Sequence, residues 1–355
     1  MRDVMTVRGP VPAEALGLVL SHEHLLCDLR SRWHPPPPDR PDLWPLVDAD
    51  PGPPARGPLA ADPYVCRPNL LLDDPQLMAA ELGYFRAAGG GTVVELTTLG
   101  LSPRPAALRD ISARSAVHVV AGCGWYRAVT DPPGLRDAPE EALAGALRET
   151  VQRGVPDGGG VRPGIIGEIG TGSPLHPDEV KALRAAARVQ RETGLALAVH
   201  LALWGREGPR VLDILEGAGV DPGRVLLCHL GEQPAATEYQ RTLLDRGAWL
   251  GFDTFGAEYA LDGADASGPA GPFPTPRLAT DEERLTAVLR LLDAGYGERL
   301  LLSQDVCERL QLRAYGGFGY AHLLTTIRPR LRRAGVDEDT LDLLLRRNPA
   351  RLLAG

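Results

Sequence analysis

Lysine is nearly absent from this sequence. Lys181 is the single lysine among 38 lysine and arginine residues, so the other basic side chains, apart from histidine, are arginines. Chemistry that needs a lysine side chain is therefore confined to one position, on a helix predicted over residues 177–193. The five cysteines are widely scattered and form no CxxC motif, which argues against a disulfide framework and against a structural zinc site.

Long apolar runs are also missing. No stretch reaches the roughly 20 apolar residues of a membrane-spanning helix, and residues 1–9 lack the apolar core of a signal peptide. The formal net charge is −8, whereas nucleic-acid-binding proteins carry basic faces. We therefore expect a cytoplasmic protein that binds neither a membrane nor a nucleic acid and acts on a small molecule.

Eight apolar runs, most of them followed by a helical pattern, are spread along the chain. Runs without alternation are typical of parallel strands buried on both faces. The length of 355 residues suits one (β/α)₈ TIM barrel with insertions. The sequence thus predicts an α/β barrel, a single domain over residues 1–355. The predicted strands cover residues 18–24, 92–97, 117–122, 164–168, 195–200, 225–229, 248–253 and 300–305.

Two predicted loops are long. Residues 28–68, after the first strand, are rich in proline, and residues 256–278, after the seventh, are rich in glycine and proline. Long loops inside compact domains are often functional. Both loops are candidate lids, and a flexible excursion without a role is the alternative for the first.

Residues that bind metals stand where predicted strands end. His22 and His24 close the first strand, and residues i and i+2 of a strand point to the same face. The other strand-end residues are Glu168, His200, His229 and Asp305. The carboxyl ends of barrel strands meet at one mouth, and so many polar groups would need a partner there.

Metal binding is the predicted role of this set. Imidazole and carboxylate ligands favour zinc, with manganese, cobalt or iron as alternatives. We expect two divalent ions, and a deaminase-like site with one ion stays open. The other histidines, His34, His118, His176 and His322, are interpreted as structural.

Several segments resemble one known family. They are VRGP at 7–10, LSHEH at 20–24, GCGWY at 122–126, GEIG at 167–170 and NPARL at 348–352. Together with the order of strand-end ligands, they make the chain similar to the phosphotriesterase family of the amidohydrolase superfamily, including its phosphotriesterase-related and lactonase-type members. The resemblance covers nearly the whole chain.

The resemblance implies a role for each ligand. His22, His24 and Asp305 would hold the more buried ion, and His200 and His229 the more exposed one. Many family members bridge the two ions with a carboxylated lysine on strand 4, but Lys181 lies beyond that strand. Glu168 would supply the bridge instead, as glutamate does in phosphotriesterase-related proteins. The resemblance also implies a homodimer.

The predicted reaction is hydrolysis by a hydroxide shared between two ions, with Asp305 as the catalytic proton acceptor. A carboxylic ester, lactone or amide is the expected substrate. Phosphotriester hydrolysis and a non-catalytic binding barrel are the alternatives. Candidate substrate-binding residues follow the strand ends: Trp125, Tyr126, Trp204 and Arg206, with Arg127, Phe255 and Arg309 as further candidates.

Overall fold

The computed structural model describes residues 3–156, 158–261 and 277–355. Within these ranges eight parallel strands form the centre of the molecule. Their bounds are β1 Leu18–Glu23, β2 Gly90–Glu95, β3 His118–Ala121, β4 Ile166–Gly170, β5 Leu197–His200, β6 Val225–Leu227, β7 Trp249–Phe252 and β8 Leu300–Leu302.

The strands form two parallel sheets. One contains β1, β2 and β3, and the other contains β4 to β8 in sequence order. Backbone hydrogen bonds also join the two sheets, both between β3 and the residues before β4 and between β1 and the residues after β8. Gly164 N donates to Ala121 O at 2.9 Å beside β3, and Asp305 N donates to His22 O at 3.2 Å beside β1. The arrangement is a TIM-barrel-like α/β fold.

Helices connect most of the strands. Their bounds are α1 Arg56–Ala61, α2 Pro75–Ala87, α3 Pro105–Ser115, α4 Glu140–Arg153, α5 Pro177–Thr193, α6 Gly208–Gly217, α7 Thr237–Asp245, α8 Asp281–Asp293, α9 Arg328–Arg333, α10 Glu338–Asp342 and α11 Asn348–Ala354. The helical segments near the C-terminal end of the chain are separated at Gly335, which adopts φ +97°, and they include π-helical turns at Leu323–Ile327 and Leu343–Arg347. No helix in the described ranges is both long and apolar enough to cross a bilayer.

Alternating residues of the strands pack into two separate cores. In β5, Leu197 and Val199 belong to the larger core, whereas Ala198, like Ala196 just before the strand, belongs to a smaller core with Leu226 and Leu301. Since side chains alternate along a strand, His200 points to the same side as Ala198. The apolar pattern of the strand therefore directs this ligand toward the centre of the fold.

The two predicted loops differ in what the structure describes. Residues 28–68 contain several 3₁₀ turns and α1, and the strand Cys27–Asp28 pairs with Leu71–Leu72, so the segment is more ordered than a simple loop. Of the loop predicted over 256–278, residues 262–276 lie outside the described residues. A lid function for either segment stays a prediction.

Candidate metal centre

The six predicted ligands lie together at one end of the strands, and all are mostly buried. The observed β6 and β8 end before His229 and Asp305, which the prediction had placed inside these strands. Both residues adopt positive φ, +67° and +49° respectively. This backbone conformation is uncommon outside glycine and turns the chain out of the strand. It persists where the surrounding contacts hold it.

His22, His24 and Asp305 form the first group of potential ligands. Asp305 Oδ1 lies 3.2 Å from His24 Nε2 and 3.6 Å from His22 Nε2. His24 Nδ1 donates to Thr97 Oγ1 at 2.9 Å, because the Thr97 hydroxyl itself donates to Glu95. This chain fixes the proton on Nδ1 and leaves the lone pair of His24 Nε2 facing Asp305.

Glu168, His200 and His229 form the second group. His229 Nε2 lies 2.8 Å from His200 Nδ1. Glu168 Oε2 lies 3.4 Å from His200 Nδ1, 3.7 Å from His229 Nε2 and 3.4 Å from His22 Nε2. Glu168 Oε1 lies 3.6 Å from His24 Nε2. One carboxylate therefore stands between the two groups, with oxygens near ligands of both.

Asp253 orients a histidine from each group. Its Oδ2 accepts from His22 Nδ1 at 3.0 Å, and its Oδ1 accepts from His229 Nδ1 at 3.1 Å. Asp253 Oδ1 also accepts from the backbone N–H of His229 at 2.9 Å, which holds the positive-φ conformation. Both rings consequently carry the Nδ1 proton and present Nε2 to the centre.

Glu23, the last residue of β1, is hydrogen-bonded to the turn that follows β8. This buried carboxylate accepts from Ser303 Oγ at 2.7 Å and from the backbone N–H groups of Gln304 and Val306, both at 2.8 Å. Those bonds fix the turn that carries Asp305. Because Glu23 stands between His22 and His24, the segment 22–24 supplies two candidate ligands and also positions a third, Asp305.

Burial and close charges shift the pKa values of the groups in the centre. Burial alone would raise the pKa of Glu168, but the neighbouring imidazoles of His22, His200 and His229 hold it well below its usual value. Burial, with the charge of His229, lowers the pKa of His200 to about 4. A neutral imidazole beside an ionised carboxylate suits a metal ligand set.

Two buried atoms of the centre lack a hydrogen-bond partner in the described part of the chain, His22 Nε2 and Glu168 Oε2. They are 3.4 Å apart and face each other across the centre. Leaving such groups unpaired in the interior is costly. A metal ion held by both would satisfy them, so the residues present fit a metal site.

Comparison with known proteins identifies the family. A sequence model described as the Phosphotriesterase family matches residues 2–353 of the chain. The chain belongs to the phosphotriesterase family. The resemblance seen in the sequence is thereby confirmed, and with it the expectation of an enzyme: this is a hydrolytic, metal-dependent member of the phosphotriesterase family.

Relatives and solved structures of the family align with nearly the whole chain. An N-acetyltaurine hydrolase from Rattus norvegicus is 32% identical over 362 residues, covering 99% of this chain and 97% of the relative. A resiniferatoxin-binding protein from Rhodobacter sphaeroides has a TM-score of 0.93 at 40% identity, with 99% and 94% coverage. A phosphotriesterase homology protein from Escherichia coli, complexed with phosphate in its active site, has a TM-score of 0.75 at 26% identity, with 96% and 99% coverage.

The side chain of Lys181 contacts residues that do not belong to the candidate metal centre. Its ammonium donates to Arg136 O at 2.9 Å and pairs with Asp178 at 3.0 Å. Glu168, by contrast, has a carboxylate oxygen within 3.7 Å of a ring nitrogen of each of the four histidines.

Of the four main candidate substrate residues, Tyr126 alone lines the cavity of the metal centre. Its hydroxyl lies 3.5 Å from His200 Nδ1. Trp204 and Arg206 do not line this cavity, and Arg206 stacks on Tyr239. Trp125 lines a separate, mostly apolar cavity of about 650 Å³ beside α3 and α4. Their part in substrate binding stays a prediction.

The further candidates also lie outside the lining of the metal-centre cavity. These are Arg127, Phe255 and Arg309. Three of the four histidines interpreted as structural have partners elsewhere: His34 contacts Asp62, His176 caps α5, and His322 contacts Asp281. His118 begins β3.

Several residues of the candidate site were not predicted from the sequence. Asp253 ends the seventh predicted strand and could have been found by the rule that located the other ligands. Arg32, Tyr64 and Glu308 also line the cavity, but they come from the proline-rich segment and from the turn after Asp305. No sequence period marks these positions.

Replacing Asp253 by asparagine is expected to weaken metal binding by about 10- to 100-fold, the usual effect of losing a partner of a ligating histidine. The asparagine amide has one oxygen acceptor where the carboxylate serves two rings and a backbone N–H. Competition with a chromogenic zinc chelator measures the affinity. Asp293→Asn, at the exposed end of α8, is the control, and equal affinity in both variants would contradict the orienting role.

Proposed function

We propose that this protein is a binuclear metal-dependent hydrolase that cleaves a carboxylic amide, ester or lactone. One observation carries the proposal: the Glu168 carboxylate stands between two groups of ligands, with Oε2 3.4 Å from both His22 Nε2 and His200 Nδ1. That arrangement suits a carboxylate shared by two cations, with His22, His24 and Asp305 holding one and His200 and His229 the other.

When bound, two divalent ions would supply Lewis acidity, lowering the pKa of a water toward neutrality and polarising the scissile oxygen. The chain supplies the other functions. Asp305 accepts a proton from the attacking water and returns it to the leaving group. Its side chain is 18% exposed, against 6% or less for the other ligand side chains, so it is the ligand best placed to exchange a proton with the cavity.

The cavity that described residues line at the metal centre is small. Its volume is about 50 Å³, far below the roughly 300–1,000 Å³ of pockets for drug-sized ligands. A compact acyl compound therefore fits better than a large one. Among the relatives, the N-acetyltaurine hydrolases of several vertebrates are 31–33% identical over at least 98% of this chain, which favours the amide bond of a small N-acyl compound.

Phosphotriester hydrolysis is the second candidate activity. The Escherichia coli neighbour holds phosphate in its active site, so a related centre accommodates a phosphoryl group. The two candidates differ in the bond that is broken and are separated by a substrate panel.

The deciding experiment assays zinc-, manganese- and cobalt-loaded protein against N-acyl amino acids, lactones, aryl esters and aryl phosphotriesters. We expect turnover of at least one carboxylic substrate, with phosphotriesters slower. Removing the metal with a chelator should abolish turnover, and adding the metal back should restore it. Hydrolysis that survives chelation, with no residual metal by mass spectrometry, would contradict the proposal.

A further inference from the structure

Arg32 is the one arginine or lysine among the described residues that line the metal-centre cavity. It ends the turn Arg30–Arg32 that follows β1, and its side chain is half-buried. The guanidinium lies over the ring of Tyr64, with Cζ 4.7 Å from the ring centroid. Cation–π contact of this kind holds a guanidinium in place while leaving its N–H donors available.

No carboxylate of the described ranges lies within ion-pair distance of this guanidinium. Other arginines nearby are paired: Arg30 with Asp28 at 2.6 Å, and Arg309 with Asp73 at 3.1 Å. Arg32 therefore brings to the cavity a positive charge that has no direct ion-pair partner among the described residues. A partly buried charge of this kind is normally matched by a counter-ion.

Glu308 is the carboxyl group beside Arg32 that does not belong to the metal ligand set. Its buried Oε2 has no hydrogen-bond partner in the described chain, and it forms no ion pair with Arg32. Burial, opposed by the charge of Arg32, raises the pKa of Glu308 to about 8. A largely protonated carboxyl at neutral pH can donate a hydrogen bond to an anion instead of repelling it.

Tyr126 connects this region with the metal ligands. Its hydroxyl lies 3.5 Å from His200 Nδ1, and it lines the same cavity as Arg32. One compact molecule can therefore reach both Arg32 and the metal ligands.

We propose that Arg32 binds an anionic group of the substrate, a carboxylate or a sulfonate, while the scissile acyl bond lies at the metal ligands. This inference rests on the proposed hydrolase function and narrows its substrates to short acyl compounds with an anionic end. The guanidinium would grip two oxygens of the anion, and the Glu308 carboxyl would donate to a further one.

Three N-acetyl amides of equal length test the inference: N-acetyl-β-alanine, N-acetyltaurine and neutral N-propylacetamide. We expect kcat/KM of the zinc enzyme to be about 10- to 100-fold higher for the anionic amides, the range given by a charge-assisted hydrogen bond. Arg32→Met should lose most of that ratio through a higher KM for the anions, and Arg32→Lys should keep part of it. Arg30→Met, two residues away, should keep all of it.

A binding measurement makes the test independent of turnover. Calorimetric titration of zinc-loaded Asp305→Asn protein with N-acetyl-β-alanine should show saturable binding, and adding Arg32→Met should weaken it by about 10-fold or more. Near-equal kcat/KM for anionic and neutral amides would overturn the inference and leave the hydrolase function intact. If neither these amides nor the lactones, esters and phosphotriesters of the wider panel are hydrolysed, the hydrolase proposal fails and the titration alone tests the inference. Binding that depends on Arg32 then supports anion recognition. Equal binding with and without Arg32 overturns it.

Discussion

Glu168→Gln protein is expected to retain its fold and lose most of its bound metal and nearly all of its activity. The variant keeps the volume of the side chain but removes the negative charge that both ligand groups share. Bound metal should fall from about two ions per chain to one or fewer. The Lewis acidity of an ion is worth several kcal/mol in the transition state, and about 1.4 kcal/mol corresponds to a factor of ten, so turnover should fall at least about a thousandfold.

Elemental analysis after dialysis, combined with circular dichroism, measures metal content and fold together. Glu14→Gln changes an exposed glutamate in the first turn of a short helix and should have no effect on either quantity. Glu168→Ala removes the carboxylate altogether and should lose at least as much metal. Full metal occupancy in both Glu168 variants would contradict the bridging role, even if activity fell.

The candidate metal ligands could be grouped from the sequence because each follows an apolar run. Parallel strands bring their carboxyl ends to one mouth, so the order of the strands alone placed residues as distant in the chain as His22 and Asp305 side by side. Glu168 follows the fourth apolar run in the same way, and its bridging role was implied by the family resemblance. What decided the prediction was the order of ligand types along the strands, which also carried the family resemblance.

Residues that surround the ligands were harder to predict, because their positions depend on the path of loops. Trp125 and Arg206 follow strand ends in sequence, yet one lines another cavity and the other stacks on Tyr239. Conversely, Arg32 reaches the metal-centre cavity from a proline-rich segment without any periodic pattern. Strand ends converge by the geometry of the sheet, whereas loop side chains are placed by contacts such as the stacking of Arg32 on Tyr64, which no local sequence rule encodes.

Asp305→Asn protein is expected to keep most of its metal and to lose turnover by about 10²- to 10⁴-fold, the contribution of a positioned general acid–base group. Asparagine tolerates the positive φ of this position better than most residues, so the turn after β8 should persist. Its amide oxygen can replace Oδ1, which lies 3.2 Å from His24 Nε2. The amide nitrogen in place of Oδ2, however, has no lone pair to accept a proton from water.

Comparison with Asp305→Ala separates the two roles of this residue. Alanine removes both oxygens, so bound metal should fall together with turnover, whereas asparagine should reduce turnover alone. Burial alone would raise the pKa of Asp305, but His22, His24 and His229 lower it below the usual value, so the wild-type carboxylate is ionised at neutral pH. Near wild-type kcat in the metal-loaded asparagine variant would assign proton transfer to another group, with Asp305 then acting only as a ligand.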